Sequence, residues 1–550
     1  MREVKTINWI KKNSKGQRFN LACLIISNAI FSALSVVFAF LIKGVIDSAV
    51  EYADKKRLLY CALGIVGVVI LQFVLRLVIN GLTEHIKGKL EMDYKSKLFS
   101  NILKKKHEKV SVYHSGELLN RLTNDVAVVS DGVSSILPTV VSAVARLVFA
   151  VAALIYLDWI FAVAFTVAGL LVFLVISLLR GKLKSLHKEA QSTDGKVRSF
   201  MQESIENLLA VKVFSINGKV ESRAEDLQQK NFKVKMKRKN YSVLGHATYN
   251  FIFSAGYLFA LIYGAVMILT TGLSYGALSA ILQLVNNVQV PFASLSNVMP
   301  KYYAMIASAE RLIEIEDIEN EQIAPKIDRD ALYSKMQSIS IENVTFSYDR
   351  DVVLKNASTI IDKGDFVAIT GPSGVGKSTL IKLMLGVYPA ESGQVKLLTD
   401  DGEVMLDCNT RSLFSYVPQG NMLFSGSLLD NVTFIKGDAT MEEIDRALKI
   451  SCADGFIKEF PNGLDTVVGE NGVGLSEGQI QRIAVARAVL TGAPIMLLDE
   501  ATSALDEATE EQLLNNLKTL DGVTVIIISH KKAALSVCNK RIQLKNKVLS

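Results

Sequence analysis

The stretch from Phe366 to Thr379 carries the most specific chemistry in the chain. A short apolar run, Phe366-Val367-Ala368-Ile369-Thr370, leads into Gly371-Pro372-Ser373-Gly374-Val375-Gly376-Lys377-Ser378-Thr379 and then a helical pattern. This is GxxxxGKS between a strand and a helix. The glycines let backbone N–H groups converge on phosphate oxygens, and the helix N-terminus adds a favourable dipole. Lys377 can neutralise the β- and γ-phosphates, and Ser378 is placed to coordinate Mg²⁺. A second apolar run, Pro494-Ile495-Met496-Leu497-Leu498, ends in Asp499 and Glu500. Asp499 suits the outer shell of Mg²⁺, and Glu500 can polarise a water for in-line attack on the γ-phosphate. Apolar strands often end in solvated acids; joined to a phosphate loop, this one specifies ATP hydrolysis.

The elements that must hold these residues fall into two parts. After Pro325, short β-rich runs alternate with helices, which reads as an α/β domain. Before it stand six apolar stretches, approximately 21–46, 58–82, 133–157, 159–179, 248–271 and 275–298. Each meets the ~20 residues needed to cross a ~30 Å hydrocarbon core. A mean hydropathy of +0.29 over 550 residues argues against an ordinary soluble enzyme. Only nine prolines and 35 glycines argue against disorder. The five cysteines are scattered, with no CxxC, so neither a disulfide framework nor a structural zinc site is expected.

Charge gives the topology. Up to Pro325 there are 38 Lys+Arg against 25 Asp+Glu, a net of +13; the remainder has 23 against 29, a net of −6. Six basic residues lie in 1–20, nine in 83–132 and fifteen in 180–246, whereas the opposite-side connections hold three. Both termini and the two long segments are therefore expected in the cytoplasm. The basic excess is topological, so no nucleic-acid partner is expected. The long segments lack Pro and keep apolar residues at helical spacing, so they read as helices continuing beyond the membrane. Trp9, Ile10 and Phe19 among Lys11, Lys12, Lys15 and Arg18 read as a segment on the membrane surface.

Between the phosphate loop and the acidic pair lies Leu475-Ser476-Glu477-Gly478-Gln479, at a helix start. With it the chain resembles the ATP-binding cassette (ABC) transporters along essentially its whole length, specifically an exporter-type half-transporter. The resemblance implies a multidomain fold: a six-helix all-α transmembrane domain, then an α/β P-loop nucleotide-binding domain. The division expected is 1–20 interfacial segment, 21–310 transmembrane domain with long helical arms, 311–335 linker and 336–550 nucleotide-binding domain. It also implies that Ser476, Gly478 and Gln479 of one chain close on ATP held by the other. Tyr348 resembles the aromatic that stacks on adenine, and Gln419 the Q-loop glutamine that senses Mg²⁺. Asp506, in Ser503-Ala504-Leu505-Asp506, resembles the D-loop between the two sites, and His530 the switch histidine at the γ-phosphate. The segments 113–117 and 211–215 resemble the coupling elements at the tips of the arms, and Gly469-Glu470-Asn471-Gly472 the exporter contact loop.

Glu477 stands where Gly is most usual in the signature, and the closing strands after Arg541 look abbreviated. Glu500, Lys377, His530 and Gln479 are all present, so one chain could supply both sites of a homodimer. The resemblance implies export of a hydrophobic or amphipathic substrate (peptide, lipid or drug-like) across the cell membrane, by alternating access of a dimer using ATP and Mg²⁺. An importer on the exporter fold, for example of a metal chelate, and an ATP-gated channel or sensor remain alternatives. For the cargo, Arg76, Arg146, Asn250, Asn286 and Asn287 are candidate cavity residues, since polar groups inside spans are functional by default. Equally, Arg76 could snorkel to the interface and the amides could bridge helices. If both arginines face the cavity, an anionic amphiphile or peptide is favoured over a cationic drug.

Overall fold

Long apolar stretches without helix-breaking loops become long helices. The computed structural model describes residues 2–322, 327–348, 351–420, 423–469, 472 and 474–549. It divides into two units: Met1–Asn101 with Ser115–Asp317, and Ile102–His114 with Ile318–Ser550. In chain order the helices up to residue 316 are α1 (Arg2–Asn13), α2 (Arg18–Val50), α3 (Lys55–Leu103), α4 (His107–Val110), α5 (Ser115–Asn120), α6 (Val126–Leu157), α7 (Trp159–Glu206), α8 (Leu208–Val213), α9 (Asn217–Thr271) and α10 (Tyr275–Glu316).

Among the described residues six of these helices, α2, α3, α6, α7, α9 and α10, run for 32 to 55 residues. Each contains one apolar stretch of the sequence, and α3, α7 and α9 continue through the basic segments as the missing prolines predict. Among the described residues, four stretches, Lys15–Val50, Lys55–Leu103, Ser115–Leu157 and Asn217–Thr271, are long and apolar enough to cross a membrane, and Trp159–Gly169 adds a shorter one. The turns between spans have local causes. Asp158 caps α7 by accepting from Ile160 N at 2.8 Å, and Ser274 caps α10 by accepting from Ala277 N at 3.0 Å. Gly272, at φ +71°, ends α9. The bundle core joins Ala39, Leu154, Phe161, Phe165, Phe253, Ile281 and Leu284.

Helix α1 is held to the rest of its unit by side-chain contacts. Ile10 is buried, and the Trp9 ring stacks on Tyr94 with centroids 5.6 Å apart while its Nε1 donates to Glu316. Lys5 pairs with Asp317 at 2.7 Å. Of the three apolar residues, Phe19 stays exposed. The stacking partner of Trp9 lies more than eighty residues away along the chain. Helix α10 also runs to Glu316, past the expected domain end at 310.

Among the described residues, the second unit contains α4, a helix α11 (Arg329–Lys335) and twelve strands. They are β1 (Met336–Tyr348), β2 (Asp351–Asp362), β3 (Phe366–Thr370), β4 (Ser392–Thr399), β5 (Gly402–Met405), β6 (Phe414–Val417), β7 (Gly426–Ser427), β8 (Val467–Val468), β9 (Ile495–Asp499), β10 (Thr524–Ile528), β11 (Lys540–Lys545) and β12 (Val548–Leu549). The main sheet has the order β12-β11-β3-β10-β9-β6, parallel from β11 to β6. Strands β3, β9 and β10 are buried at every residue, as a central parallel sheet requires. A second sheet, β2-β1-β4-β5, is antiparallel. The remaining helices are α12 (Lys377–Met384), α13 (Leu428–Thr433), α14 (Met441–Ile450), α15 (Asp454–Glu459), α16 (Glu477–Leu490), α17 (Glu507–Lys518) and α18 (Lys532–Val537). Helices α13 to α16 build their own core from Leu428, Ile444, Leu448, Phe456, Ile480 and Ile483. The closing strands form: β11 pairs with β3 and β12 with β11, since Ile542 and Leu544 alternate into the core.

The segment 102–114 is bound to residues 318–321 by backbone as well as side chains. Glu321 N donates to Lys104 O at 2.9 Å and Lys106 N to Glu319 O at 3.1 Å. Lys105 Nζ reaches Ile318 O at 2.6 Å, and Lys106 pairs with Glu319 at 2.6 Å. Arg411 then grips Glu321 with two hydrogen bonds, at 2.8 and 3.0 Å, and also donates to Leu385 O and Gly386 O at 2.9 Å each. Those carbonyls end α12, where a cation is favoured by the helix dipole.

Candidate active site

Four parallel strands bring the sequence-predicted groups to one edge. Register pairs Ile369 with Ile528, Ile528 with Asp499 and Leu498 with Val417. The phosphate loop after β3, His530 after β10, Glu500 after β9 and Gln419 after β6 therefore leave the same carboxyl-terminal edge. Open α/β sheets place their ligand sites there.

The phosphate loop needs its glycines for two reasons. Gly371, Gly374 and Gly376 have φ of +152°, +75° and +110°. A Cβ on Gly371 would lie 2.3 Å from Leu544 O, and one on Gly376 2.4 Å from Val353 Cγ1. Lys377, only 5% exposed, folds back so that Nζ donates to Gly371 O at 2.8 Å and Pro372 O at 3.0 Å. Its ammonium is thus held over the loop that Pro372, Ser373, Gly374 and Val375 form. Thr379 Oγ1 donates to the Tyr348 hydroxyl at 3.4 Å. The Tyr348 ring is 39% exposed and lies nearly perpendicular to the rings of Phe346 and Tyr388, with centroids 5.0 and 5.6 Å away.

Ser378 Oγ donates to Asp499 Oδ1 at 3.0 Å, and the Tyr416 hydroxyl to Asp499 Oδ2 at 3.4 Å. Burial pushes the Asp499 carboxyl above its ordinary range and the Glu500 charge adds to this, while the hydrogen bonds from Ser378 and Tyr416 oppose it. Burial, then the Asp499 charge, pushes the Tyr416 hydroxyl up as well. A buried carboxylate beside a hydroxyl is an oxygen donor set that calls for a hard cation. No group of three or more His, Cys, Asp or Glu able to hold a metal occurs among the described residues. The Ser378 hydroxyl and the Asp499 carboxylate are an oxygen pair that would suit Mg²⁺, which completes its shell with water and phosphate oxygens.

Glu500 adopts φ +51°, a left-handed conformation that costs a non-glycine residue about 1–3 kcal/mol. Its N–H donates to Ile528 O at 3.2 Å, and its carbonyl accepts from Ser503 N at 3.1 Å. Gln419 Nε2 donates to Glu500 Oε2 at 2.6 Å. The glutamine expected to sense Mg²⁺ is thus joined to the expected general base. His530 is exposed at the end of β10.

The signature residues lie elsewhere on the unit. Ser476 caps α16, accepting from Gln479 N at 3.3 Å, and Gln479 Oε1 accepts from Ser476 N at 2.9 Å. A Cβ on Gly478 would lie 3.0 Å from Ala504 O. Among the described residues, Ser476 and Gln479 bond within the signature turn, and Gly478 lies against Ala504 and Leu505. Asp506 caps α17 by accepting from Thr509 N at 3.0 Å, which lowers its carboxyl pKa. Within the expected contact loop, Glu470 and Asn471 lie outside the described residues. Three groups escaped the sequence reading: Tyr416 on Asp499, Gln481 on Ser503, and Lys531 next to His530. Only the last had a signal, its adjacency to the histidine.

In the membrane unit, Arg146 donates from Nε and Nη2 to Asn287 Oδ1 at 3.2 and 2.9 Å. Asn287, 3% exposed, in turn donates to Ser35 O at 3.2 Å. Asn287 is a bridge between helices, while Arg76, Asn250 and Asn286 are exposed.

The family model described as "ABC transporter transmembrane region" matches residues 19–292, and that described as "ABC transporter" matches 354–503. The chain belongs to the ABC transporters. This transporter is 29% identical over 530 residues to the ATP-dependent lipid A-core flippase of Desulfotalea psychrophila, covering 94% of this chain and 90% of that one. It is 28% identical over 528 residues to the flippase of the same description from Escherichia coli (strain K12), with the same coverage. Its fold matches a bacterial Atm1-family ABC exporter solved with ATP bound, at a TM-score of 0.81 and 22% identity, over 97% of this chain and 94% of that one. The transporter therefore has the exporter fold, binds ATP and is an ATP-driven translocase of the membrane.

Proposed function

We propose that two copies of this transporter drive an anionic, lipid-like amphiphile outward across the cytoplasmic membrane. The observation that carries the substrate class is Arg146: a guanidinium inside a span, held by the amide of Asn287 instead of a carboxylate, keeps its positive charge for a ligand. The flippases of D. psychrophila and E. coli, named for lipid A-core, support a lipid-like cargo. Thirty of the 38 basic residues before Pro325 lie in the N-terminus and the two arms, which supports a cytoplasmic nucleotide domain.

The dimer reading is supported by the signature of each chain, whose neighbours among the described residues are its own turn, Ala504 and Leu505. It is also supported by apolar surface left open in one chain. Leu209, Val213 and Phe214 at the tip of the second arm are exposed, as are the stacked Phe424 and Phe434 of the nucleotide unit. In this reading Tyr348 stacks on adenine, residues 371–379 cradle the phosphates, and Glu500 takes the proton of the attacking water while Gln419 orients it. His530 contacts the γ-phosphate. Mg²⁺ on Ser378 and Asp499 would neutralise phosphate charge.

The test uses inside-out vesicles containing the purified transporter. ATP-driven accumulation of an anionic lipid analogue, abolished by Glu500→Gln, supports export; ATP-driven depletion means import. A preference for a cationic amphiphile overturns the substrate class.

A further inference from the structure

A lysine follows the histidine at the end of β10, and its ammonium does not go to solvent. Lys531 Nζ donates to Thr502 O at 2.8 Å and to Leu505 O at 2.6 Å, and lies 3.5 Å from Glu510 Oε2. Glu510, on α17, is completely buried; its Oε1 accepts from Thr502 Oγ1 at 2.7 Å. Thr502 is itself 1% exposed. Between the two gripped carbonyls stand Ser503 and Ala504, both exposed. From the other side Gln481, on α16, donates to Ser503 Oγ at 2.9 Å and accepts from Ala504 N at 3.1 Å. The loop 503–506 is thus held by the histidine strand on one flank and by the signature helix on the other.

A buried carboxylate and two inward carbonyls oppose one another unless a cation stands among them. Lys531 is that cation, one peptide bond from His530. Any movement of His530 toward a terminal phosphate carries the Lys531 backbone with it, and the ammonium draws on both ends of the loop. We propose that Lys531 is a positioning residue that yokes the histidine to loop 503–506, so that the presence of a γ-phosphate in one site sets the loop that faces the second copy. The yoke rests on the reading of His530 as the γ-phosphate contact.

The experiment compares Lys531→Met, Lys531→Arg, the double variant Lys531→Met/Glu510→Met and His530→Ala in the full-length transporter, reconstituted in lipid. ATP turnover, KM and the Hill coefficient for ATP are measured, with fluorescent ATP-analogue affinity and thermal stability alongside. In Lys531→Met, kcat falls about tenfold or more, analogue affinity stays within about twofold and the Hill coefficient drops. Lys531→Arg recovers turnover to within about threefold, because the charge returns. The double variant removes the buried carboxylate together with its cation. It recovers thermal stability while kcat stays low, because the carbonyls remain ungripped. Recovery of kcat in the double variant overturns the yoke, since Lys531 would then only neutralise Glu510. Full turnover in Lys531→Met beside an inactive His530→Ala also overturns it and leaves the histidine reading intact. Full turnover in His530→Ala overturns the histidine reading itself.

Discussion

Arg411 offers a quantitative test of how residues 318–321 are held. Arg411→Ala removes two hydrogen bonds to Glu321 and two to the carbonyls of Leu385 and Gly386. Charge-assisted hydrogen bonds are worth about 1.5–3 kcal/mol when shielded, whereas fully exposed pairs keep about 0.2–1 kcal/mol. The side chains are 32% and 17% exposed, so each bond is discounted toward the exposed limit and the fork of four bonds sums to about 2–3 kcal/mol. Local opening of the segment then becomes about 30- to 150-fold more frequent. Hydrogen exchange on the detergent-solubilised full chain reads this directly at the amides of Lys106 and Glu321, which donate to Glu319 O and Lys104 O. Arg411→Lys keeps the charge but not the planar fork, and exchange rises about tenfold. The charge swap Glu321→Arg/Arg411→Glu does not rescue, because it sets a carboxylate against the carbonyls of Leu385 and Gly386. Unchanged protection in Arg411→Ala, or full rescue by the swap, refutes the reasoning.

Three further outcomes follow from the same geometry. Glu500→Gln lowers ATP turnover about 100-fold or more while ATP still binds, as measured by phosphate release beside analogue affinity. Burial raises the Cys538 thiol to about 11, with Lys518 opposing; the thiolate fraction at pH 8 is then about 100-fold below that of a thiol at 9. Iodoacetamide labelling read by mass spectrometry should show Cys538 slow at pH 8 and accelerating toward pH 11. The folded state holds this proton more tightly, so its stabilising contribution is intact below pH 9 and is lost between about 9 and 11. Arg146→Gln lowers stimulation of ATPase by an anionic lipid about tenfold and leaves stimulation by a neutral one within about twofold.

The phosphate loop was legible because glycine spacing, a lysine and a hydroxyl are local properties of the chain. The long helices were legible for the same reason: no proline interrupts 83–132 or 180–246. The pairing of Gln419 with Glu500 was not, since it depends on β6 lying beside β9 and β9 beside β10, an order that no local pattern encodes. The contact of Trp9 with Tyr94 was not legible, because an amphipathic pattern serves lipid and protein equally and the partner ring lies far along the chain. Asn287 was ambiguous on the same grounds, and its partners Arg146 and Ser35 make it a bridge. The closing strands looked abbreviated because β12 is only two residues long, yet pairing with β11 suffices to form it.

The nucleotide-binding unit is not contiguous in sequence, and this sets a timetable for making it. Residues 102–114 belong to it, but the chain that receives them begins at Ile318. Roughly 200 residues must be synthesised between the two, which takes about 10–40 s at about 5–20 residues per second. Throughout that interval the main-chain groups of Lys104 and Lys106 have no Glu319 or Glu321 to pair with. Of the three consecutive lysines at 104–106, Lys105 and Lys106 then become attachment points through their side chains and Lys104 through its carbonyl. For the same reason, a recombinant fragment starting at Ile318 would lack the pairing partner of its own first residues. Supplying residues 102–114 as a separate peptide would restore that edge.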